Sequence, residues 1–249
     1  LFIHGNSSCK EVFGNQLGDG IGADCRCLLM DLPGHGQSGD AHDPAATYHM
    51  AGYADAALQA ISALHDGPFF IVGWSLGGHI GIELLTLTDR IQGLVISGTP
   101  AVGRDAADMA TAFLPNPHMV FSGRESLSEE EMDAYAHTTC GDRHYVDFLG
   151  EAVRRTDGRA RRIMMESAIS GAGANQKQIV ETNTTPLAVI NGNEEALVNN
   201  EYVTSLNYAN LWRDQVFLLD EAGHAPFWDK PNEFNALLHD FLSECIAAG

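Results

Sequence analysis

Positive charge is scarce in this sequence. Lys and Arg total 14 of 249 residues against 33 Asp and Glu, a formal net charge of −19. A field of that sign repels phosphate backbones and anionic headgroups, which sets nucleic acid and membrane surfaces aside as partners. It does not repel a neutral small molecule. Long apolar runs are also missing: none reaches the roughly 18–20 residues of a membrane span. No secretory signal is visible, and a cytoplasmic location is expected. Cysteine is sparse and odd in number: Cys9, Cys25, Cys27, Cys140 and Cys245 are scattered along the chain. No second Cys or His pair completes a zinc pattern around Cys25 and Cys27. Buried free thiols are expected, with Cys25 and Cys27 on one face of a strand. No H-x-x-x-H or clustered His/Asp spacing offers a hydrolytic metal site, so neither metal nor cofactor is expected.

Hydrophobic residues make up 45% and charged residues 19% of the chain, which is ordinary globular composition. The length permits one large α/β domain whose core needs no staples. Leu1–Ile3, Cys27–Met30, Phe69–Gly73, Ile91–Ser97, Leu187–Ile190 and Val216–Leu219 are short runs, apolar on both faces, as parallel strands covered by helices are. Met50–Leu64 places apolar residues at 50, 53, 54, 57, 58, 61 and 64, a helical face, and Phe234, Leu237, Leu238, Phe241, Leu242 and Cys245 form another. The alternation predicts an open, mostly parallel sheet flanked by helices. It breaks off between about Ala101 and Val180, where helical segments such as Ser126–Ala136 and Glu151–Ser167 occur without a convincing strand. So long a stretch is not one loop, and a helical cap over one end of the sheet is expected. Its Gly171–Gly173 run reads as a flexible exit. The division is core for 1–100, cap for 101–180 and core again for 181–249, with no internal repeat.

Gly73-Trp74-Ser75-Leu76-Gly77 is a G-x-S-x-G pentapeptide. At average residue frequencies about one chain in ten of this size carries one by chance. Here it follows an apolar strand and opens a helical pattern, the setting of a nucleophile elbow. The turn presents Ser75 at a helix N-terminus, where the helix dipole favours developing negative charge. Serine needs a base. Of the 11 histidines, His224 lies after the last strand and before an Ala-Pro turn, in the chain order serine, acid, histidine. His4, His35 and His79 read as structural hydrogen-bonding groups. The orienting acid should follow the strand Leu187–Ile190, where Glu194 and Glu195 are neighbours; Glu195, three residues after Gly192, is favoured, with Glu194 facing solvent. An oxyanion hole needs two N–H donors: Leu76, after the nucleophile, and Asn6, in the loop after the first strand.

His4-Gly5-Asn6, Asp31-Leu32-Pro33-Gly34-His35-Gly36-Gln37-Ser38, Gly73-Trp74-Ser75-Leu76-Gly77-Gly78 and Gly223-His224-Ala225-Pro226-Phe227 stand in the order of the α/β-hydrolase superfamily, which the chain resembles along essentially its whole length. The resemblance implies the α/β-hydrolase fold. It also implies strands preceding Leu1, so a fragment lacking one sheet edge is expected. Where the superfamily usually carries Asp as the acid, Glu195 stands here. A narrower resemblance is to the α/β-hydrolase type of N-acyl-homoserine lactonase. Leu1–Ser8, Gly73–Glu83, Gly98-Thr99-Pro100, Gly223–Phe227 and the stretch from Thr156 to Met164 are similar to that family, and the last is no general superfamily motif. That family also uses Glu as the acid and carries a cap tyrosine that contacts substrate, for which Tyr135 is the counterpart. On the residues alone Tyr135 is one more amphipathic helix position.

The resemblance implies a metal-independent, quorum-quenching serine hydrolase that opens the lactone of N-acyl-homoserine lactones through Ser75, His224 and Glu195. A broader carboxylesterase with the same triad is the alternative, followed by a non-enzymatic ligand receptor on the same scaffold. Phe113, Met119, Phe121, Met164 and Met165 are candidates to line an acyl-chain pocket.

Overall fold

The computed structural model describes residues 1–18, 21–23, 25–141 and 144–248. Six strands, β1 (Phe2–Ile3), β2 (Leu29–Met30), β3 (Phe69–Trp74), β4 (Ile91–Ser97), β5 (Leu187–Gly192) and β6 (Phe217–Leu219), form one sheet in the order β2-β1-β3-β4-β5-β6. Every neighbouring pair is parallel. All six expected strands are present.

The central strands β3, β4 and β5 are buried on both faces, and the period of two explains how. Ile71, Leu94, Ile96 and Val189 point to one side, where they meet Tyr53, Ala54, Ala57 and Ile61 of helix α2 (Met50–Leu64). Val72, Val95, Ala188 and Ile190 alternate to the other side, against Phe234, Leu238 and Phe241 of the C-terminal helix Pro231–Ala248. A run that is apolar at every position therefore feeds two cores. A short helix α1 (Pro44–Thr47) precedes α2, and α3 (Leu76–Leu84) follows β3 directly.

Between β4 and β5 the named elements are helices α4 (Ala106–Ala112), α5 (Glu129–Cys140), α6 (Asp147–Arg155), α7 (Gly158–Ile169) and α8 (Gln176–Thr182), with a 3-10 turn at Pro117–Gly123. Helix α5 starts later than the pattern Ser126–Ala136 suggested, because Ser128 makes a capping box with Glu131. The continuous helix expected over Glu151–Ser167 is two helices. Thr156 Oγ1 donates to the Ala152 carbonyl at 2.8 Å and the Asp157 N–H to the Gly34 carbonyl at 2.9 Å, which ends α6. The Asp157 carboxylate then caps α7 and accepts the Tyr48 hydroxyl at 2.7 Å. Burial pushes that carboxyl up, but hydrogen bonds from Arg159 and Tyr48 outweigh it and bring it down to about 2. After β5 come α9 (Asn200–Ser205), α10 (Pro226–Asp229) and α11, the C-terminal helix Pro231–Ala248.

The cysteine expectation needs correction. Cys9 and Cys140 are buried, but Cys25 is exposed and Cys27 and Cys245 are half-buried. Residues 25–28 precede β2 rather than belonging to it, and β2 is an edge strand, paired only through Leu29 and Met30. Among the described residues no group of three His, Cys, Asp or Glu could hold a metal ion, and no helix is long and apolar enough to cross a membrane.

His4 and His35 lie in this core, with ring centroids 5.3 Å apart. His4 Nε2 accepts the Leu32 N–H at 3.0 Å, tying the end of β1 to the loop after β2, and this bond needs an unprotonated nitrogen. Burial lowers His4 from 6.5 to about 4 and His35 to about 3. Below pH 6.5 the unfolded chain therefore takes up protons that the fold refuses. This stability is fully present above pH 6.5 and is lost as pH falls towards 4, at about 1.4 kcal/mol per pH unit for each histidine. Urea unfolding at pH 7 and pH 5 should show a loss of roughly 3 kcal/mol or more. His4→Gln, which keeps an acceptor and removes one titrating group, should roughly halve that loss.

Candidate active site

The expected site residues converge at the C-terminal ends of the strands, the end where open parallel sheets bind ligands. Ser75 stands between β3 and α3 with φ 53° and ψ −117°, backbone angles that few side chains tolerate. Its N–H donates to the Ser97 carbonyl at 2.8 Å, and its own carbonyl accepts the Gly78 N–H at 2.9 Å. A Cβ on Gly77 would stand 1.9 Å from the Ile3 carbonyl oxygen, so only glycine lets α3 start this close to β1. Leu76 is the first residue of α3, where a backbone N–H has no partner within the helix.

The strand ladder between β5 and β6 continues into the loops beyond it. Asn193 N–H donates to the Leu219 carbonyl and Glu194 N–H to the Ala222 carbonyl, each at 2.8 Å. These two bonds deliver Glu195 next to His224. His224 Nδ1–H donates to Glu195 Oε2 at 2.8 Å, and the second oxygen accepts the Leu197 N–H at 2.8 Å. Both side chains are buried, whereas Glu194 is exposed. With Nδ1 protonated, neutral His224 presents Nε2 as an acceptor. The His224 carbonyl is held by Trp74 Nε1–H at 2.8 Å.

Asn6 follows β1. Its side-chain Nδ2 donates to the Ser122 carbonyl at 2.9 Å and to the Tyr135 hydroxyl at 3.3 Å. Burial pushes the Tyr135 phenol up, so it is protonated; since its oxygen accepts from Asn6, its own proton is left to donate elsewhere. Ser75, His224, Asn6, Leu76 and Tyr135 all line one cavity of about 280 Å³. Phe113, Met119, Met164 and Met165 supply much of the apolar wall, and Gly171 and Gly173 line it too. Phe121 does not line it; its ring stacks on His118 with centroids 5.3 Å apart and meets Tyr135 edge-on.

Three residues that support the site were not among the site residues expected from the sequence. Asn191 is fully buried; its Oδ1 accepts the Gly98 N–H at 2.9 Å and its Nδ2 donates to Asn200 Oδ1 at 2.9 Å. Arg161 is buried without a carboxylate partner among the described residues. Its guanidinium donates to the Arg124 carbonyl at 2.8 Å, the Glu125 carbonyl at 3.2 Å and Ser7 Oγ at 3.3 Å, joining the helical segment to the loop that carries Asn6. Gly98 has φ +57°, and a Cβ there would come within 2.7 Å of His224 Cε1. Its place after β4 in a Gly-Thr-Pro turn was the available clue. Gly98→Ala should therefore tilt the imidazole. The expected outcome is a fall in aryl-ester turnover of roughly 10- to 100-fold with the circular dichroism spectrum retained, since small misplacements at a reacting centre cost that much.

Comparison with known proteins agrees with this architecture. The model of the alpha/beta hydrolase family matches residues 1–237. The crystal structure of N-acyl homoserine lactonase AidH complexed with N-butanoyl homoserine superposes with a TM-score of 0.95 at 44% identity, covering 98% of this chain and 88% of that one. Pimeloyl-(acyl-carrier protein) methyl ester esterase of Neisseria meningitidis serogroup C is 24% identical over 250 residues, 96% of this chain and 91% of that protein. A 109-residue stretch is 31% identical to Protein PHYLLO, chloroplastic, of Arabidopsis thaliana, and spans 41% of this chain but only 6% of that much longer protein. With its fold, its family model and its 44% identical neighbour in agreement, the chain belongs to the alpha/beta hydrolase family.

Proposed function

We propose that the protein is a serine hydrolase that opens the lactone ring of N-acyl-homoserine lactones, a quorum-quenching activity. The observation that carries this reading is the 44% identity to AidH along 98% of the chain, joined to a cavity that holds Ser75, His224 and Tyr135 together. In this reading residues 101–180 form a cap over a core made of 1–100 and 181–249.

Ser75 Oγ attacks the ring carbonyl while His224 Nε2 takes its proton, and Glu195 fixes the tautomer and stabilises the imidazolium. The N–H groups of Asn6 and Leu76 receive the tetrahedral oxyanion, each worth about 3–4 kcal/mol in such sites. His224 then returns the proton to the ring oxygen. The freed alcohol remains tethered to the acyl-enzyme, so ring closure competes with water. In this reading the Tyr135 proton, unspent on Asn6, donates to a substrate oxygen. The full-length match to a methyl ester esterase favours a second reading, a carboxylesterase with the same machinery.

Two expected outcomes test the proposal. Glu195→Gln replaces an acceptor that dictates the His224 tautomer, and kcat should fall by about 10³- to 10⁴-fold, as such losses run in serine enzymes. Glu194→Gln should change kcat less than about threefold, as expected of an exposed position. Tyr135→Phe removes one hydroxyl and little volume. It should lower kcat/KM for acyl-homoserine lactones by about 1–3 kcal/mol, with a smaller effect on an aryl ester. Wild-type protein that cleaves aryl esters but no acyl-homoserine lactone would leave the carboxylesterase reading.

A further inference from the structure

The cavity carries a polar group that the reaction does not use. His79 lies on α3 one turn after Ser75 and lines the same wall, as do Glu83 and Gln176. His79 Nδ1 meets Gln176 Oε1 at 2.6 Å. The Gln176 amide has only one sensible orientation, because its Nε2 faces the His79 carbonyl at 3.3 Å and Glu83 Oε1 at 3.4 Å, both acceptors. Glu83 Oε1 is itself fixed by the Ala174 N–H at 3.0 Å. The amide nitrogen must face those oxygens, so Oε1 faces the imidazole and Nδ1 carries the proton. Burial holds the His79 imidazole below its ordinary value, so the ring is neutral near pH 7. Its Nε2 is then a bare lone pair. It has no partner among the described residues, and its ring borders the cavity.

We propose that His79 Nε2 is a hydrogen-bond-acceptor subsite for a hydroxyl on the acyl chain of the substrate, at the carbon β to the amide carbonyl. The proposal rests on the acyl-homoserine lactone reading and adds a specificity to it. Five bonds separate the ring carbonyl carbon from the acyl β-carbon, roughly 6 Å when extended. Four residues along a helix advance about 6 Å, and helical side chains lean back towards the N-terminus. With the ring carbonyl at Ser75, the acyl β-carbon falls within reach of His79. A 3-hydroxyl can donate to Nε2. A 3-oxo group at the same carbon sets one lone pair against another, and an unsubstituted chain leaves the acceptor unmet. The cavity is thus polarised, with a donor at Tyr135 and an acceptor at His79.

The test compares kcat/KM for N-octanoyl, N-(3-oxooctanoyl) and N-(3-hydroxyoctanoyl) homoserine lactones. Wild type should favour the 3-hydroxy over the 3-oxo substrate by about fivefold or more, the scale of one neutral hydrogen bond. His79→Phe should collapse that ratio to within about twofold, with aryl-ester hydrolysis showing that the variant is folded. Gln176→Met removes the group that pins the tautomer. An Nε2–H can then form and donate to a 3-oxo group, so the ratio should fall or reverse. A wild-type enzyme indifferent to the substituent, one that prefers 3-oxo, or a preference that survives in folded His79→Phe would each overturn the subsite. Failure to cleave even the N-octanoyl lactone, with aryl esters still hydrolysed, would instead overturn the underlying reading and the subsite with it.

Discussion

The backbone of Ser75 is held where few side chains are tolerated, and the rest of the site is arranged around that constraint. A φ of 53° with ψ of −117° costs of order 1–3 kcal/mol and persists only if the surroundings over-determine it. They do so by close approach. The turn is pinned from β4 through the Ser97 carbonyl, and from β1 through the contact of Gly77 with Ile3. The sheet order places β3 between these two strands, β1 and β4. The same order puts the Asn6 loop on one side of the serine and the Gly98 turn on the other.

How far the site was legible follows from what kind of information each residue carries. The strands were readable because a buried parallel strand is apolar at every position, and β3, β4 and β5 split their side chains between two cores. Ser75, His224 and Glu195 were readable because each follows a strand, Ser75 with a glycine two residues to either side and His224 directly after Gly223. The structure brings Glu195, not Glu194, to His224, in the register that two backbone bonds set. What escaped is what depends on partners distant in sequence. The break between α6 and α7 is made by Gly34 and Tyr48, more than a hundred residues upstream, and no helix periodicity encodes it. Asn191 looks like a polar residue at a strand end until Gly98 and Asn200 are seen to satisfy it. Phe121 is as apolar as Phe113, yet it supports Tyr135 while Phe113 borders the cavity.

Polar groups in this protein act largely by deciding where protons sit. Glu195 determines which nitrogen of His224 is free, and the Glu83–Gln176 pair does the same for His79. Asn6 does the equivalent for Tyr135 by occupying its oxygen. In each case the partner is neutralised or satisfied by a further bond, as a buried polar network requires.

Arg161 bears on how such enzymes diversify. Helical segments inserted between two strands are natural units of exchange, since a new one alters the chamber and leaves the sheet alone. Here the guanidinium sits on α7, yet it holds the Arg124 and Glu125 carbonyls on its own side and Ser7, beside Asn6, on the other. A transplanted segment lacking it would leave the buried Ser7 hydroxyl without this donor, and one carrying it into a host without the Ser7 hydroxyl would lose the matching contact. The unit that recombines as a whole therefore includes Ser7 in the loop after β1, and a crossover point placed at the ends of β4 and β5 alone cuts through it.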